Sequence, residues 1–341
     1  MTENLLYGVT LTMLAGLMAG NCMLPMKFAR SWRWENVWLV FSVVSLVILP
    51  WALAIVLVKH LLDVYRGLQL GQLALPLLLG AGWGVAQILF GISVKRLGMG
   101  VAYSIIIGLG AALGTLVPLL VQHDAAVSGH AAYFIFSGVV IMVGGVFFTG
   151  WGGKIREHAS DAAAGMSNMP SRQGYAAAVL LAVICGLMAP MLNYSFAFGQ
   201  DIAKEAVRMG VPVLRTGYAV WPIALAGGFI PNLAYCIYLL SKNGTWKSFR
   251  FPGPDFGWSS LMAVLWMGSM ALYGMSASYL GVFGTSVGWG LFQIFMIMTA
   301  ALSGVLSGEW KRAPRRAIGL LGVGLSCLTV ATVLLAMGNI R

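Results

Sequence analysis

The chain of 341 residues carries 59% apolar side chains, 9% charged ones and a formal net charge of +11. A soluble domain has roughly 25% charged and 45–50% apolar residues, and nucleic-acid readers cluster their bases on one face; here 21 Lys and Arg punctuate long apolar runs. Disordered, soluble-enzyme and nucleic-acid-binding classes fit poorly, and a polytopic membrane protein is expected.

A helix crossing a hydrocarbon layer about 30 Å thick needs roughly 20 residues. In chain order, such helices are predicted over 5–26, 36–58, 72–94, 99–121, 131–151, 175–198, 213–240, 257–280, 284–307 and 317–338. The runs are too long for barrel strands of about 10 alternating residues. No basic residue precedes the first run, so it reads as a spanning helix and not as a cleaved leader. Lys95-Arg96-Leu97-Gly98 makes the third and fourth helices a tight hairpin. Cys22, Cys185, Cys236 and Cys327 are scattered in apolar segments without metal-ligand spacing and read as small buried hydrophobes.

Orientation follows from Lys and Arg, which stay cytoplasmic in short connections. Alternate connections carry 15 of them, from Lys27 through Lys95, Lys154 and Lys242 to Arg316; the opposite set carries 6. The bias places both termini in the periplasm and supports an even number of helices. Ten helices divide into a first five-helix repeat, 1–158, and a second, 159–341. An odd number per half gives the halves opposite orientation, as in inverted-repeat transporters. Met23, Pro25 and Met26 against Met188, Pro190 and Met191 are internal matches of the kind such repeats leave. Glycines spaced by four, such as Gly16 and Gly20 or Gly80 and Gly84, permit close helix approach in lipid. They serve the interior of one protomer as well as a dimer contact.

All ten carboxylates fall in connections or near helix ends, Glu35 and Glu309 at cytoplasmic ones. What remains at depth is neutral. Gln87 lies mid-helix between Trp83 and Phe90, and Gln293 lies four residues after Trp289, on one face with it. An amide beside an aromatic platform suits a sugar, whose ring face stacks while its hydroxyls are hydrogen-bonded; ordinary interhelical packing is the competing reading. Pro25 and Pro190, near Asn21 and Asn193, free backbone groups that a cavity or a packing kink must satisfy. Tyr273 adds a deep hydroxyl, and Tyr103 follows the third-to-fourth hairpin. Lys27 either snorkels to the surface or pairs with Glu35 as a gate. Trp32, Trp34 and Trp38 read as an interfacial belt. No phosphate loop, dinucleotide fingerprint, zinc pair or nucleophile elbow occurs in a usable context, so no enzyme chemistry and no cofactor are expected.

Three blocks carry a family resemblance: Leu24-Pro25-Met26-Lys27 with Trp32-Arg33-Trp34-Glu35 and Ile48-Leu49-Pro50-Trp51; Gly82-Trp83-Gly84 with Arg96-Leu97-Gly98-Met99 and Gly114-Thr115-Leu116; and Gly308-Glu309-Trp310-Lys311. Across nearly its whole length the chain resembles the bacterial L-rhamnose–proton symporters of the ten-helix drug/metabolite transporter superfamily. The resemblance implies an inner-membrane secondary importer of a deoxy sugar, with a proton as coupling ion and a central site alternately open to each side. It places an amide at Gln87. Gly284-Thr285-Ser286-Val287-Gly288-Trp289 stands where that family has a more polar, acid-containing stretch. Substrate binding is assigned to Asn21, Gln87, Asn193, Tyr273, Trp289 and Gln293, and gating to Pro25, Lys27, Glu35, Tyr103 and Pro190. An exporter or exchanger of another small polar metabolite, or a non-transporting scaffold or sensor, is the alternative.

Overall fold

The computed structural model describes residues 2–122, 129–163, 172–250 and 253–339. The described residues are helical, without strand, and ten helical spans are long and apolar enough to cross a membrane: Glu3–Phe28, Trp34–Leu57, Leu70–Leu97, Met99–Val121, Gly129–Asp161, Gly174–Arg208, Val213–Asn243, Gly253–Phe283, Val287–Leu306 and Arg315–Gly338. Each predicted run overlaps one of them. The fifth helix, Gly129–Ala163, continues well past the predicted end at 151, because its last turns, though charged, are built of good helix formers. His123 and Asp124 lie outside the described residues.

Proline shapes three of the spans. The first α-helix stops at Asn21, and Pro25 opens a separate 3-10 turn, Leu24–Phe28, so it ends the helix where a kink within it was expected. The sixth span breaks between Met188 and Met191, with Pro190 at the start of the next helical piece. In the second span, the ring of Pro50 would collide with the carbonyl four residues upstream. A π-helical turn, Val44–Ile48, precedes it, and the Leu49 N–H reaches back five residues to the Val44 carbonyl. Such wide turns often mark functional positions.

The fifth and tenth spans pack along each other, as do the third and seventh; the first lies against the eighth and ninth, and the sixth against the third and fourth. Exchanging each span for the one five later maps the first–eighth and first–ninth contacts onto sixth–third and sixth–fourth and returns fifth–tenth to itself, whereas third–seventh maps onto the less extensive second–eighth contact. Close approach depends on glycine. A Cβ on Gly80 or Gly84 would overlap Ala224 or Gly228 of the seventh span, and one on Gly16 or Gly20 would overlap Phe295 or Met296 of the ninth.

The five connections rich in Lys and Arg meet at one end of the bundle. Glu309 receives Lys27 and Arg156, the latter at 3.0 Å. Glu157 accepts the backbone N–H groups of Met99 and Gly100, both at 3.1 Å. Asp255 accepts those of Arg30, Ser31 and Trp32 at 3.1, 2.7 and 2.7 Å. At the opposite end, Gln72 donates to Asp201 at 3.2 Å and the Tyr65 hydroxyl to the Ala219 carbonyl at 2.8 Å.

Candidate functional site

A small cavity with a free volume of about 20 Å³, room for about one water molecule, lies between the second, third, seventh and eighth spans. Its walls are Trp38, Phe41, Ser42 and Leu46 from the second span, Trp83 and Gln87 from the third, Asn232 and Trp266, and Met23 at the end of the first span. The wall residues of the second span, at 38, 41, 42 and 46, recur at helical spacing and so share one face. Gln87 is ten residues from the end of its helix at Leu97, so it lies about 15 Å below the end that carries the basic connections.

Three kinds of surface converge there. The first is aromatic: Trp83 and Trp266 stack with centroids 5.4 Å apart at 21°, Phe41 meets Trp266 edge-on at 6.1 Å, and Trp38 lies 4.9 Å from Phe41. The second is a polar group already committed. Asn232 accepts the Trp38 indole N–H at 2.9 Å and donates to the Gly228 carbonyl at 2.8 Å. That bond holds the Trp38 ring at the wall. The third is polar and free. Among the described residues no partner is found for the Gln87 amide, and Ser42 Oγ is buried without one. No wall residue carries a charge.

The other predicted site residues are placed elsewhere. Asn193 donates to the carbonyls of Gly114 and Thr285 at 2.9 and 2.8 Å and accepts the Tyr273 hydroxyl at 2.5 Å. Both of its donors are thereby used. Trp289 donates to the Gly110 carbonyl at 3.2 Å and packs against Tyr273 and Phe292. With Phe196 stacked on Trp221 at 4.5 Å, these rings form a packed aromatic plug on the far side of the molecule from the basic connections. Gln293 is buried at 5% exposure, and no hydrogen bond of its amide is found among the described residues. Asn21 is bonded to the Leu17 carbonyl at 2.9 Å and to Ser303 at 2.5 Å, which ties the first span to the ninth. Tyr103 packs into the apolar cluster of the fourth, fifth, ninth and tenth spans.

The ionic partners differ from one sequence expectation. Lys27 pairs with Glu309, not with Glu35. Glu35 is buried and accepts from Asn243 at 2.9 Å and Thr245 at 3.0 Å; these short side chains already meet its carboxylate, and Lys27 is held by the closer anion of the ninth-to-tenth connection. The interfacial-belt reading also fails for two of three tryptophans: Trp32 is buried and donates to the Ser248 carbonyl at 3.2 Å, and Trp38 lines the cavity. Trp34 remains partly exposed, stacked on Trp38 at 5.1 Å.

Sequence reasoning singled out Gln87 and its neighbour Trp83 but missed Ser42, Trp38, Asn232 and Trp266 as wall residues. Two signals were available. Trp266 sits far inside its span although tryptophan prefers the interface, and Asn232 follows Pro231 inside an apolar helix.

Comparison with known proteins adds a full-length match. The family model described as L-rhamnose-proton symport protein matches residues 1–340. The L-rhamnose-proton symporters of Escherichia coli O157:H7, Klebsiella pneumoniae (strain 342) and Salmonella dublin are 25%, 26% and 26% identical over 323 residues, covering 92% of this chain and 92% of each relative.

Proposed function

Because the chain belongs to the L-rhamnose-proton symport protein family, we propose that it is a secondary active transporter that carries L-rhamnose or a related monosaccharide inward together with a proton. The family is one of membrane transporters, so the task is binding and release with no bond made or broken in the cargo. The observation that carries the sugar reading is the unpaired Gln87 amide set among the rings of Trp38, Trp83 and Trp266. A pyranose has an apolar ring face and a rim of hydroxyls, and stacking plus amide hydrogen bonds meets both.

Transport requires the bound form to exchange between outward- and inward-open states, with the ligand shifting that equilibrium by its differential affinity. The paired neighbourhoods of spans one to five and six to ten support two inverted repeats, 1–158 and 159–341, rocking about the site. The joined basic connections support a cytoplasmic end at Lys27, Arg156 and Glu309, hence periplasmic termini in the inner membrane. In this reading the contacts that open and close are the Lys27–Glu309–Arg156 latch and the hydrogen bonds of Glu35 at the cytoplasmic end, with Pro25 and Pro190 breaking the helices that must bend. The cavity wall carries no acid, so the proton is taken up outside it.

The test is substrate counterflow in proteoliposomes with L-rhamnose and a panel of monosaccharides at fixed pH. Saturable exchange of L-rhamnose is expected, and an imposed pH gradient should then drive accumulation. Silence across every sugar with folded protein would turn the assignment to another neutral polar metabolite, which the uncharged wall equally admits.

A further inference from the structure

Ser42 is fully buried in the middle of an apolar helix, lines the cavity, and its hydroxyl has no hydrogen-bond partner. A serine in a helix ordinarily returns its hydroxyl to the carbonyl one turn back, as Ser45 of the same span does to Phe41 at 2.7 Å. A buried hydroxyl left unpaired is unfavourable; among the described residues Asn36 Oδ1 and Ser93 Oγ are also buried without a partner, but of the three only Ser42 lines the cavity. Across the same small cavity Gln87 also has free donors and an acceptor. The remaining walls are aromatic or aliphatic, apart from Asn232, whose amide is engaged with Trp38 and Gly228.

We infer that Ser42 is a specificity-determining residue: its hydroxyl and the Gln87 amide read the hydroxyl groups of a neutral polyol held against the aromatic wall. This rests on the sugar-transport reading above and adds to it the residue that discriminates. A site built to bond a ligand hydroxyl leaves its own polar group unpaired when an analogue lacks that hydroxyl, and so rejects the analogue. Gln87 supplies a donor and an acceptor; Ser42 supplies a single hydroxyl, so one ring position of the sugar faces it.

The experiment pairs protein and ligand deletions in the full-length transporter. Counterflow of the parent sugar and each of its monodeoxy analogues is measured in the wild type, Ser42→Ala, Ser42→Thr and Ser45→Ala. The wild type is expected to prefer the parent over one particular monodeoxy analogue by about 10-fold, the size of one hydrogen bond between neutral groups. In Ser42→Ala that one ratio should collapse towards 1 while the other ratios stand; Ser42→Thr, which retains a hydroxyl, should restore part of it, and Ser45→Ala should leave every ratio unchanged. Unaltered ratios in Ser42→Ala, or an equal loss for every sugar, would overturn the assignment and make Ser42 a packing residue.

If the wild type exchanges no sugar at all, the transport reading fails separately. The Ser42 site is then judged with Ser42→Cys in a chain whose four native cysteines are replaced by alanine. Labelling by a small water-soluble thiol reagent, blocked by a neutral polyol or amide from a metabolite panel, would uphold a ligand-reading hydroxyl. Absence of labelling, or of protection by any of them, would overturn it.

Discussion

At the scale of single residues, two of the four amides singled out by the sequence, Asn193 and Gln87, have opposite fates. Asn193 is saturated: its two donors and its oxygen join the fourth, sixth and eighth spans and the turn before the ninth. Truncation to alanine leaves the buried Tyr273 hydroxyl and two carbonyls unpaired, at about 1–3 kcal/mol for each group left without a partner. Asn193→Ala should therefore lower the thermal unfolding midpoint in detergent while sugar affinity in the surviving folded protein is kept. Gln87 has nothing to lose inside the protein. Gln87→Ala should fold with unchanged thermal stability and weaken sugar exchange about 10-fold, the effect of one or two hydrogen bonds between neutral groups. A Gln87→Ala, Gln293→Ala double variant that exchanges sugar normally would remove both amides from the site. The sequence shows that each is an amide inside an apolar segment; only neighbouring helices show that Asn193 is buried and occupied while Gln87 is half-buried and free.

At the scale of elements, the third span is the most instructive helix. It holds Gly80 and Gly84 on the face against the seventh span, yet a Cβ at Gly91 of the same helix would meet nothing within 4 Å. In lipid, where burying apolar surface between helices brings little, contact at the backbone is what holds spans together. Gly80→Ala should push the third and seventh spans apart and lower the unfolding midpoint by the equivalent of about 1–3 kcal/mol. Gly91→Ala should be neutral or stabilising by about 0.5–1 kcal/mol, since alanine has the better helix propensity. Comparison of the two purified variants by thermal unfolding checks this. The displacement in Gly80→Ala should also disturb the cavity, because Trp83 and Gln87 follow on the same helix and Asn232 faces them from the other. The four-residue glycine spacing is legible in the sequence, whereas the helix that each pair faces is not.

At the scale of the whole molecule, the end bearing the basic connections is closed by ionic and backbone contacts between segments far apart in the chain. Glu309 is the centre of one group. The hydrogen bond from Lys27, then the charges of Lys27 and Arg156, outweigh its partial burial and hold its carboxyl below the usual carboxylate range. Arg156 also lies over the Trp310 ring, 4.9 Å from its centroid. Since the pKa is lowered while these contacts stand, protonation of Glu309 weakens them. The latch is fully made above the ordinary carboxylate pKa and is lost as pH falls through the lowered value. Between pH 5 and 8 it should therefore be insensitive to pH. Glu309→Gln should release it at neutral pH, seen as a severalfold faster reaction of Met23→Cys, at the cavity mouth, with an impermeant thiol reagent applied to inside-out vesicles. A pH profile of that labelling that is flat in the wild type down to about pH 5 and then rises would match the sign; a rise between pH 8 and 6 would assign the switch to another group.

Composition alone determined that this chain is a membrane-spanning helical protein, because runs of some twenty apolar residues have one stable way to satisfy their backbone in lipid. The count of ten spans, the meeting of the basic connections at one end and the resemblance to the sugar symporters were likewise legible, since each depends on local hydropathy, loop charge or ordered motifs. Pro25 and Pro190 announced that their helices would be interrupted, while the π-turn before Pro50 was not read from the sequence; the kind of interruption, a 3-10 end, a break or a π-turn, depended on what each freed backbone group could reach. The tertiary structure alone decided which polar groups are spent and which are left over. In an apolar segment every amide and hydroxyl reads as costly, but its partner is on another helix, as with Asn193 and Tyr273, Asn232 and Trp38, and Lys27 and Glu309. At the cavity, Ser42 and Gln87 emerge as the unpaired groups only after those pairings have been made.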